Sequence, residues 1–131
     1  MKFIPVSEPL FIGNEKKYLL KCLSSGFISS SGKLVVEFEK KFAKFLNRKY
    51  AISVSNGTGA LQIAYDSLKL KKQDEIILPS FAIISCILPV VRHGAKPVLV
   101  DSCINSWNMN IDEVEQKITP KTKCIIAPHI Y

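Results

Sequence analysis

The chain has 131 residues, of which 47% are apolar and 22% charged. This length corresponds to one domain or part of one, and the composition excludes a disordered, collagen-like or low-complexity chain. The net charge of +7 is concentrated in residues 1–50, which hold ten Lys or Arg and four Asp or Glu. We interpret these basic residues as solvated helix faces, because no nucleic-acid-binding motif accompanies them.

Cysteine spacing and hydropathy indicate which partners and which cellular location to expect for the protein. The four cysteines and two histidines show no spacing typical of a metal site, so reduced structural thiols and a cytoplasmic location are expected. The N-terminal residues lack the apolar run of a signal peptide. The longest uncharged stretch, residues 76–91, contains two prolines and is too short to span a bilayer. We therefore expect no metal, nucleic-acid or membrane partner.

The predicted elements begin with an extended arm and two helices, which together make up residues 1–49. Asn14 is predicted to cap the first helix, and Gly26 to end it. A Gly/Ser-rich loop follows. The second helix is predicted from apolar residues that recur every four positions, namely Leu34, Phe38, Phe42 and Leu46.

From residue 50 onward, short apolar runs alternate with helical patterns. Strands are predicted at 51–54, 75–79, 97–101 and 124–129. Between them we predict a helix after SNGTG, a helix from Ser80 to His93 kinked at Pro89, and a short helix at Ile111–Ile118. Strand starts separated by 22–27 residues predict βαβ units and a largely parallel sheet. The fold class is therefore α/β, with residues 50–131 forming an incomplete domain.

The most informative segment for function is SNGTG, residues 55–59. Ligands of open α/β sheets bind at the carboxyl ends of the strands, and this segment joins such an end to a helix. The first N–H groups of a helix are unpaired and carry the positive end of its dipole. Gly57 and Gly59 allow close approach of a ligand, and Thr58 adds a hydroxyl, so a phosphate site is predicted. An ordinary tight turn is the alternative.

Two other nucleotide-binding loops fit this segment less well. Residues 57–62, Gly-Thr-Gly-Ala-Leu-Gln, match only the first two glycines of the dinucleotide fingerprint G-x-G-x-x-G. The acids Asp74 and Glu75 stand at the start of the second strand, whereas a ribose-binding acid belongs at its end. A Walker A loop is excluded because no Gly-Lys-Ser/Thr occurs. A dinucleotide-binding domain is therefore the weaker alternative.

Four segments resemble, in order and spacing, the DegT/DnrJ family of sugar aminotransferases: SVSNGTGALQIAYDSLKL, DEIILPSFAIIS, GAKPVLVD and ITPKTKCIIAPHIY. The upstream stretch SGFISSSGKLVVEFEKKFAKFL is similar to the N-terminal segment of that family. The resemblance implies the N-terminal part of the large domain of a fold type I transferase. It also implies pyridoxal 5'-phosphate as cofactor, a nucleotide-linked keto sugar as substrate, glutamate as amino donor and a homodimer.

The resemblance also implies roles for residues in the glycine loop and after the second strand. Thr58 and Gly59, with Gly57 beside them, would hold the cofactor phosphate. Ile83 stands where the family usually carries an aromatic ring that stacks on the pyridine. An isoleucine covers a ring face by dispersion but does not stack on it.

Three further polar residues follow predicted strands. Ser85 and His129 are candidates for contact with the cofactor or substrate. The alternatives are that the Ser85 hydroxyl bonds within its own helix and that His129 is structural. Asp101 is expected to hold the turn after its strand through an Asx bond.

No catalytic residue is assigned within the chain. In the family, the Schiff-base lysine and the acid that binds the pyridinium nitrogen both follow the His-x-Tyr segment, beyond Tyr131. The lysines present lie before strands or on a helix: Lys96, Lys121, Lys123, Lys33, Lys40 and Lys44. We therefore expect the isolated chain to be an inactive N-terminal portion of an aminotransferase. The alternatives are a truncated, non-catalytic paralogue that serves in binding or assembly, and a pyridoxal-phosphate-dependent sugar dehydratase.

Overall fold

The computed structural model describes residues 3–130, and the chain forms two compact units, Met1–Ser53 and Val54–Tyr131. The first unit contains helices α1 (Glu15–Ser25) and α2 (Lys33–Phe45). Helix α1 ends as predicted at Gly26, whose φ of +71° suits glycine because it has no Cβ. Asn14 makes no side-chain cap. The predicted boundary after residue 49 stays a prediction.

Helix α2 carries the predicted apolar stripe. Phe38 and Phe42 stack with their ring centroids 5.5 Å apart. On the same helix, the Glu39 carboxylate accepts hydrogen bonds of 2.8 Å from both the N–H and the hydroxyl of Ser53. These bonds hold the pKa of Glu39 below its usual value. The prediction of a strand at 51–54 was wrong, because this segment pairs with none of the three strands that the structure describes.

The second unit is an α/β layer structure. Its elements are helix α3 (Gly57–Leu68), strand β1 (Glu75–Pro79), a 3-10 turn (Ile84–Cys86), helix α4 (Leu88–Arg92), strand β2 (Lys96–Val100), helix α5 (Ile111–Lys117) and strand β3 (Thr122–Ile125). The strands form a parallel sheet in the order β2–β1–β3, which confirms the predicted parallel α/β fold. No helix among residues 3–130 has the length and apolar character needed to cross a membrane.

Helices cover both faces of the central strand. All five residues of β1 are buried, and successive side chains point to opposite faces. On one face, Ile76 packs with Tyr65 of α3 and Val90 of α4. On the other face, Ile77 packs with Val114 of α5. This arrangement explains why the residues of β1 after Glu75 are all apolar, as in strands buried on both sides.

Several element boundaries differ from the prediction. The long helix expected over residues 80–93 is divided into the 3-10 turn and α4, because Pro89 lies in the first turn of α4. A proline there loses no helical hydrogen bond, so it starts a helix rather than kinking one. Strand β2, Lys96–Val100, begins and ends one residue earlier than predicted. Strand β3 begins at Thr122, two residues before the predicted start, and ends at Ile125, four residues before the predicted end at His129.

A histidine joins α3 to α4. His93, which ends α4, places Nδ1 2.7 Å from the Pro89 carbonyl and Nε2 2.6 Å from a carboxylate oxygen of Asp66 in α3. Both oxygens act only as acceptors, so both bonds form when the ring carries two protons. The Pro89 carbonyl and then the Asp66 carboxylate raise the pKa of His93.

Candidate functional site

The N-terminus of α3 lies toward the carboxyl edge of the sheet. Helix α3 joins the start of β1 through the short loop 69–74 and packs along the sheet through Leu61 and Tyr65. Its C-terminal end is therefore near the amino edge of the sheet, and its first turn points to the opposite edge. Ligands of open parallel sheets bind at that carboxyl edge.

The first turn of α3 leaves two backbone donors free. The Asn56 side chain accepts from the Gly59 N–H at 2.9 Å, and the Asn56 carbonyl accepts from Ala60 at 3.2 Å. Among residues 3–130, no acceptor is found for the N–H groups of Gly57 and Thr58. Unpaired first-turn donors are what an anion binds. Asn56 is thus a cap that the sequence analysis missed, although Asn before a helix is its usual signal.

The space and charge at this turn suit a phosphate monoester. A Cβ built on Gly57 would meet no heavy atom within 4 Å, and φ is positive at neither Gly57 nor Gly59. Glycine at position 57 therefore gives open access to the backbone rather than an unusual conformation. Thr58 is exposed, and no acidic side chain lies in the first turn of α3. These residues fit a bound phosphate group.

Ile83 and Ser85 lie around the 3-10 turn that follows β1. Ile83 has extended backbone, and its carbonyl accepts from the Cys86 N–H at 2.9 Å. Its side chain is 62% exposed, so it is free to cover a ligand. Ser85 is half-buried, and its hydroxyl forms no hydrogen bond with residues 3–130, so the alternative of a bond within its own helix is not found.

A buried tyrosine connects the 3-10 turn to α3. The Tyr65 hydroxyl donates to the Cys86 carbonyl at 2.7 Å, and burial raises the pKa of Tyr65 to about 12. The structure thus joins the turn that carries Ser85 to the helix that carries the phosphate-binding loop. His129 is exposed, four residues beyond the end of β3. No hydrogen bond within the described chain links it to these elements.

Asp101 holds its turn differently from the prediction. Its carboxylate accepts from the N–H of the next residue, Ser102, at 2.8 Å, whereas an Asx turn would use the residue after that. The Asp101 carbonyl also accepts from Asn110 at 2.9 Å, and its N–H donates to the Glu113 carboxylate. Lys117 and then this N–H lower the pKa of Glu113. The loop after β2 is therefore anchored at both ends.

Lys96 lies at the edge opposite the candidate site. Its Nζ is 3.0 Å from a carboxylate oxygen of Glu75, which begins the neighbouring strand. The Thr119 hydroxyl donates to the other oxygen at 2.7 Å. Thr119 and then Lys96 lower the pKa of Glu75. Lys96 therefore has a structural ion-pair partner at the amino edge of the sheet.

An aromatic pair at the carboxyl edge of the sheet was not predicted from the sequence. Phe81 follows the end of β1, and Trp107 lies in the loop after β2. Their ring centroids are 5.4 Å apart, and the rings are inclined by 61°. The one sequence signal that could have found them is that each lies in a segment after a predicted strand. No group of three or more His, Cys, Asp and Glu within residues 3–130 could hold a metal ion.

The comparisons with known proteins agree with this fold. The model of the DegT/DnrJ/EryC1/StrS aminotransferase family matches residues 11–131. The GDP-perosamine synthase of Escherichia coli O157:H7 is 44% identical over 131 residues, which are 100% of this chain and 36% of that protein. The GDP-perosamine synthase of Vibrio cholerae is 44% identical over 128 residues, or 98% of this chain and 35% of that protein.

The chain also resembles solved structures of sugar-modifying enzymes. The E. coli GDP-4-keto-6-deoxy-D-mannose-3-dehydratase with bound hydrated PLP has a TM-score of 0.81 and 30% identity, covering 94% of this chain and 33% of that one. The aminotransferase from Psychrobacter cryohalolentis has a TM-score of 0.80 and 33% identity, covering 96% and 32%. The chain spans about a third of the length of these relatives, which fits an N-terminal portion. With the family model matched over nearly the whole sequence, the chain belongs to the DegT/DnrJ/EryC1/StrS aminotransferase family.

Proposed function

We propose that this chain is the N-terminal portion of an aminotransferase that uses pyridoxal 5'-phosphate (PLP). Its substrates would be a nucleotide-linked keto sugar and glutamate as the amino donor. The observation that carries this proposal is the open first turn of α3, with free N–H groups at Gly57 and Thr58. When bound, PLP supplies an aldehyde that takes up an amino group and a ring that withdraws electrons from the neighbouring carbon.

The residues of this chain would bind and orient the cofactor. The N–H groups of Gly57 and Thr58, with the Thr58 hydroxyl, donate to the phosphate. Gly59, which the resemblance also places at the phosphate, would line the same turn, although its N–H donates to the Asn56 side chain. Ile83 covers one face of the ring by dispersion. Ser85 and His129 are the polar candidates for orienting the cofactor or the substrate.

The remaining chemistry would come from outside residues 1–131. We assign the cofactor-binding α/β domain to start at residue 50 and the lysine and pyridinium-binding acid to residues outside this sequence. By resemblance to the family, the whole protein would be a homodimer. The free cysteines fit a reducing, cytoplasmic compartment.

A dehydratase of nucleotide sugars is the second candidate. The observation that favours it is the similarity to the E. coli dehydratase structure with bound PLP. The same phosphate-binding turn would serve both reactions. The residue at the position of the cofactor-binding lysine distinguishes them, and this position lies outside residues 1–131. A non-catalytic paralogue would co-purify with a partner that carries the missing part.

Binding of pyridoxamine 5'-phosphate to the 131-residue chain tests the cofactor proposal. This probe carries the phosphate and the ring but no aldehyde, so it does not react with surface lysines. We expect saturable binding that inorganic phosphate displaces. Replacement Gly57→Val places a side chain into open space and should abolish binding without unfolding the protein.

A control on the same helix makes this test specific. Ser67 lies at the other end of α3, where its hydroxyl donates to the Ala64 carbonyl. Ser67→Ala should leave binding of pyridoxamine 5'-phosphate unchanged, whereas Thr58→Val should weaken it by about tenfold or more, the range for one hydrogen bond to a charged group. Equal affinities for Thr58→Val and Ser67→Ala would contradict the proposed phosphate site.

A further inference from the structure

The peptide bond between Asn56 and Gly57 leads into the first turn of α3. Asparagine is a thermolabile residue, because the nitrogen of the following peptide attacks its side-chain amide carbon. A side chain on the following residue hinders this attack, and glycine has none. Asn56 is the one asparagine of the 131 residues that is followed by glycine. Its amide is therefore the most reactive asparagine amide that the sequence contains.

The nucleophile of this reaction, the Gly57 nitrogen, is accessible. Asn56 and Gly57 are both exposed, and a Cβ built on Gly57 would meet no heavy atom within 4 Å. The Gly57 N–H has no acceptor among residues 3–130. Asn56 has extended backbone, with φ −165° and ψ 169°, so it lies outside the hydrogen-bonded part of the helix. The fold therefore leaves this nitrogen open to reaction.

The electrophile, the amide carbon of Asn56, is polarised by the cap. The Gly59 N–H donates to Oδ1 of Asn56 at 2.9 Å, and negative charge develops on this oxygen during the attack. A backbone donor aimed at a developing oxyanion lowers the barrier. The attack also places negative charge on the Gly57 nitrogen, which lies at the positive end of the helix dipole. No acidic side chain in the first turn of α3 opposes this charge.

We propose that Asn56 is a site of spontaneous deamidation. Hydroxide removes the Gly57 N–H proton as the nitrogen bonds to Cγ of Asn56, and the side-chain nitrogen takes a proton from water and leaves as ammonia. The product is a five-membered imide that joins the two residues. Water then opens either of the two imide carbonyls, which gives aspartate or its β-linked isomer, isoaspartate. Both products carry a carboxylate in place of a neutral amide.

Deamidation changes the charge of the turn assigned to the cofactor phosphate, and this consequence rests on the proposed function. The new carboxylate stands beside the N–H groups of Gly57 and Thr58, where it repels a phosphate. In isoaspartate the main chain also gains a methylene group, which disrupts the cap on Gly59. Conversely, a bound phosphate that accepts the Gly57 N–H should slow the reaction. The turn would thus lose its affinity for phosphate when it stays empty.

Peptide mass spectrometry of the folded 131-residue chain, incubated at mildly alkaline pH, measures the reaction. We expect a gain of about 1 Da at Asn56, since an acid replaces an amide. Asn110 is the internal control, because it also caps a helix and its side chain accepts from the Glu113 N–H. Ile111 follows this second cap in place of a glycine. Asn110 should therefore keep its amide while Asn56 loses it.

The substitution Gly57→Ala and a parallel incubation in urea test the role of the fold. Gly57→Ala should slow the loss of the Asn56 amide by about fivefold or more, because the added Cβ hinders the attack. Equal modification of Asn56 and Asn110 in the folded chain would overturn the proposal. An unchanged rate in Gly57→Ala, or modification of Asn56 in urea alone, would overturn it as well.

The substitution Asn56→Asp isolates the effect of the charge, because aspartate caps helices as well as asparagine does. It should weaken the binding of pyridoxamine 5'-phosphate by about tenfold or more. The matched control Asn110→Asp adds the same charge at the cap of α5 and should leave this binding unchanged. Equal affinities of the two variants would refute the effect of deamidation on the phosphate-binding turn.

The failure of this inference is distinguishable from the failure of the proposed function. If Asn56 keeps its amide while the chain binds pyridoxamine 5'-phosphate, the deamidation site is wrong and the cofactor proposal stands. If Asn56 is deamidated but the freshly prepared chain does not bind pyridoxamine 5'-phosphate, the deamidation site stands and the cofactor proposal is contradicted. Slower deamidation in the presence of pyridoxamine 5'-phosphate would support both.

Discussion

Replacing Tyr65 with phenylalanine removes one buried hydrogen bond and keeps the ring. Tyr65 is 2% exposed, and its hydroxyl donates to the Cys86 carbonyl at 2.7 Å. Because the ring remains packed against Ile76 and Val90, the variant leaves no large cavity. The Cys86 carbonyl loses this partner, and an unsatisfied buried acceptor costs about 1–3 kcal/mol. We expect the free energy of unfolding to fall by about 1–2 kcal/mol.

Urea unfolding followed by the fluorescence of Trp107 measures this change in the unit that contains Tyr65. Tyr50→Phe is the matched control, because Tyr50 is 74% exposed and its substitution should change the free energy by less than about 0.5 kcal/mol. Equal unfolding midpoints for the two variants would refute the reasoning. An alkaline titration gives a second test, since burial raises the pKa of Tyr65 to about 12 and this late ionisation should vanish in Tyr65→Phe.

Three further predictions concern stability and are measured by urea unfolding. The pKa of His93 is raised, so the stabilisation of the folded state by charged His93 is full below about pH 6.5 and is lost as the pH rises through the folded-state pKa. His93→Gln should remove this pH dependence of the free energy of unfolding, whereas the control His129→Gln should keep it. The pKa of Glu75 is lowered, so the stabilisation of the folded state by ionised Glu75 is present above about pH 4.5 and is lost as the pH falls through the folded-state pKa. Glu75→Gln should flatten the acidic part of the plot of unfolding free energy against pH. An unchanged acidic part would contradict the ion pair. Gly94→Ala should destabilise by about 1–2 kcal/mol, because φ is +72° although a Cβ would meet nothing within 4 Å. Gly57→Ala, without positive φ, should change stability by less than about 0.5 kcal/mol.

The elements predicted correctly are those that local patterns determine. Strand β1 was predicted with the bounds Glu75–Pro79, because a short apolar run between polar residues is typical of a buried strand. The apolar repeat of four predicted α2 in the same way. The phosphate-binding turn was predicted from SNGTG because glycines, a hydroxyl and a helix start are all adjacent in the sequence.

The features that were missed depend on contacts between distant segments. A strand needs a neighbour, so residues 51–54 were predicted as a strand from their composition although no described strand pairs with them. Phe81 and Trp107 are 26 positions apart, and they meet because parallel pairing brings the ends of β1 and β2 side by side. The sequence by itself thus determined most of the elements, the parallel sheet and the family, because periodicity and turn chemistry are local. The tertiary structure decided which loops face each other, because that depends on strand order and on the sheet face to which each connection crosses.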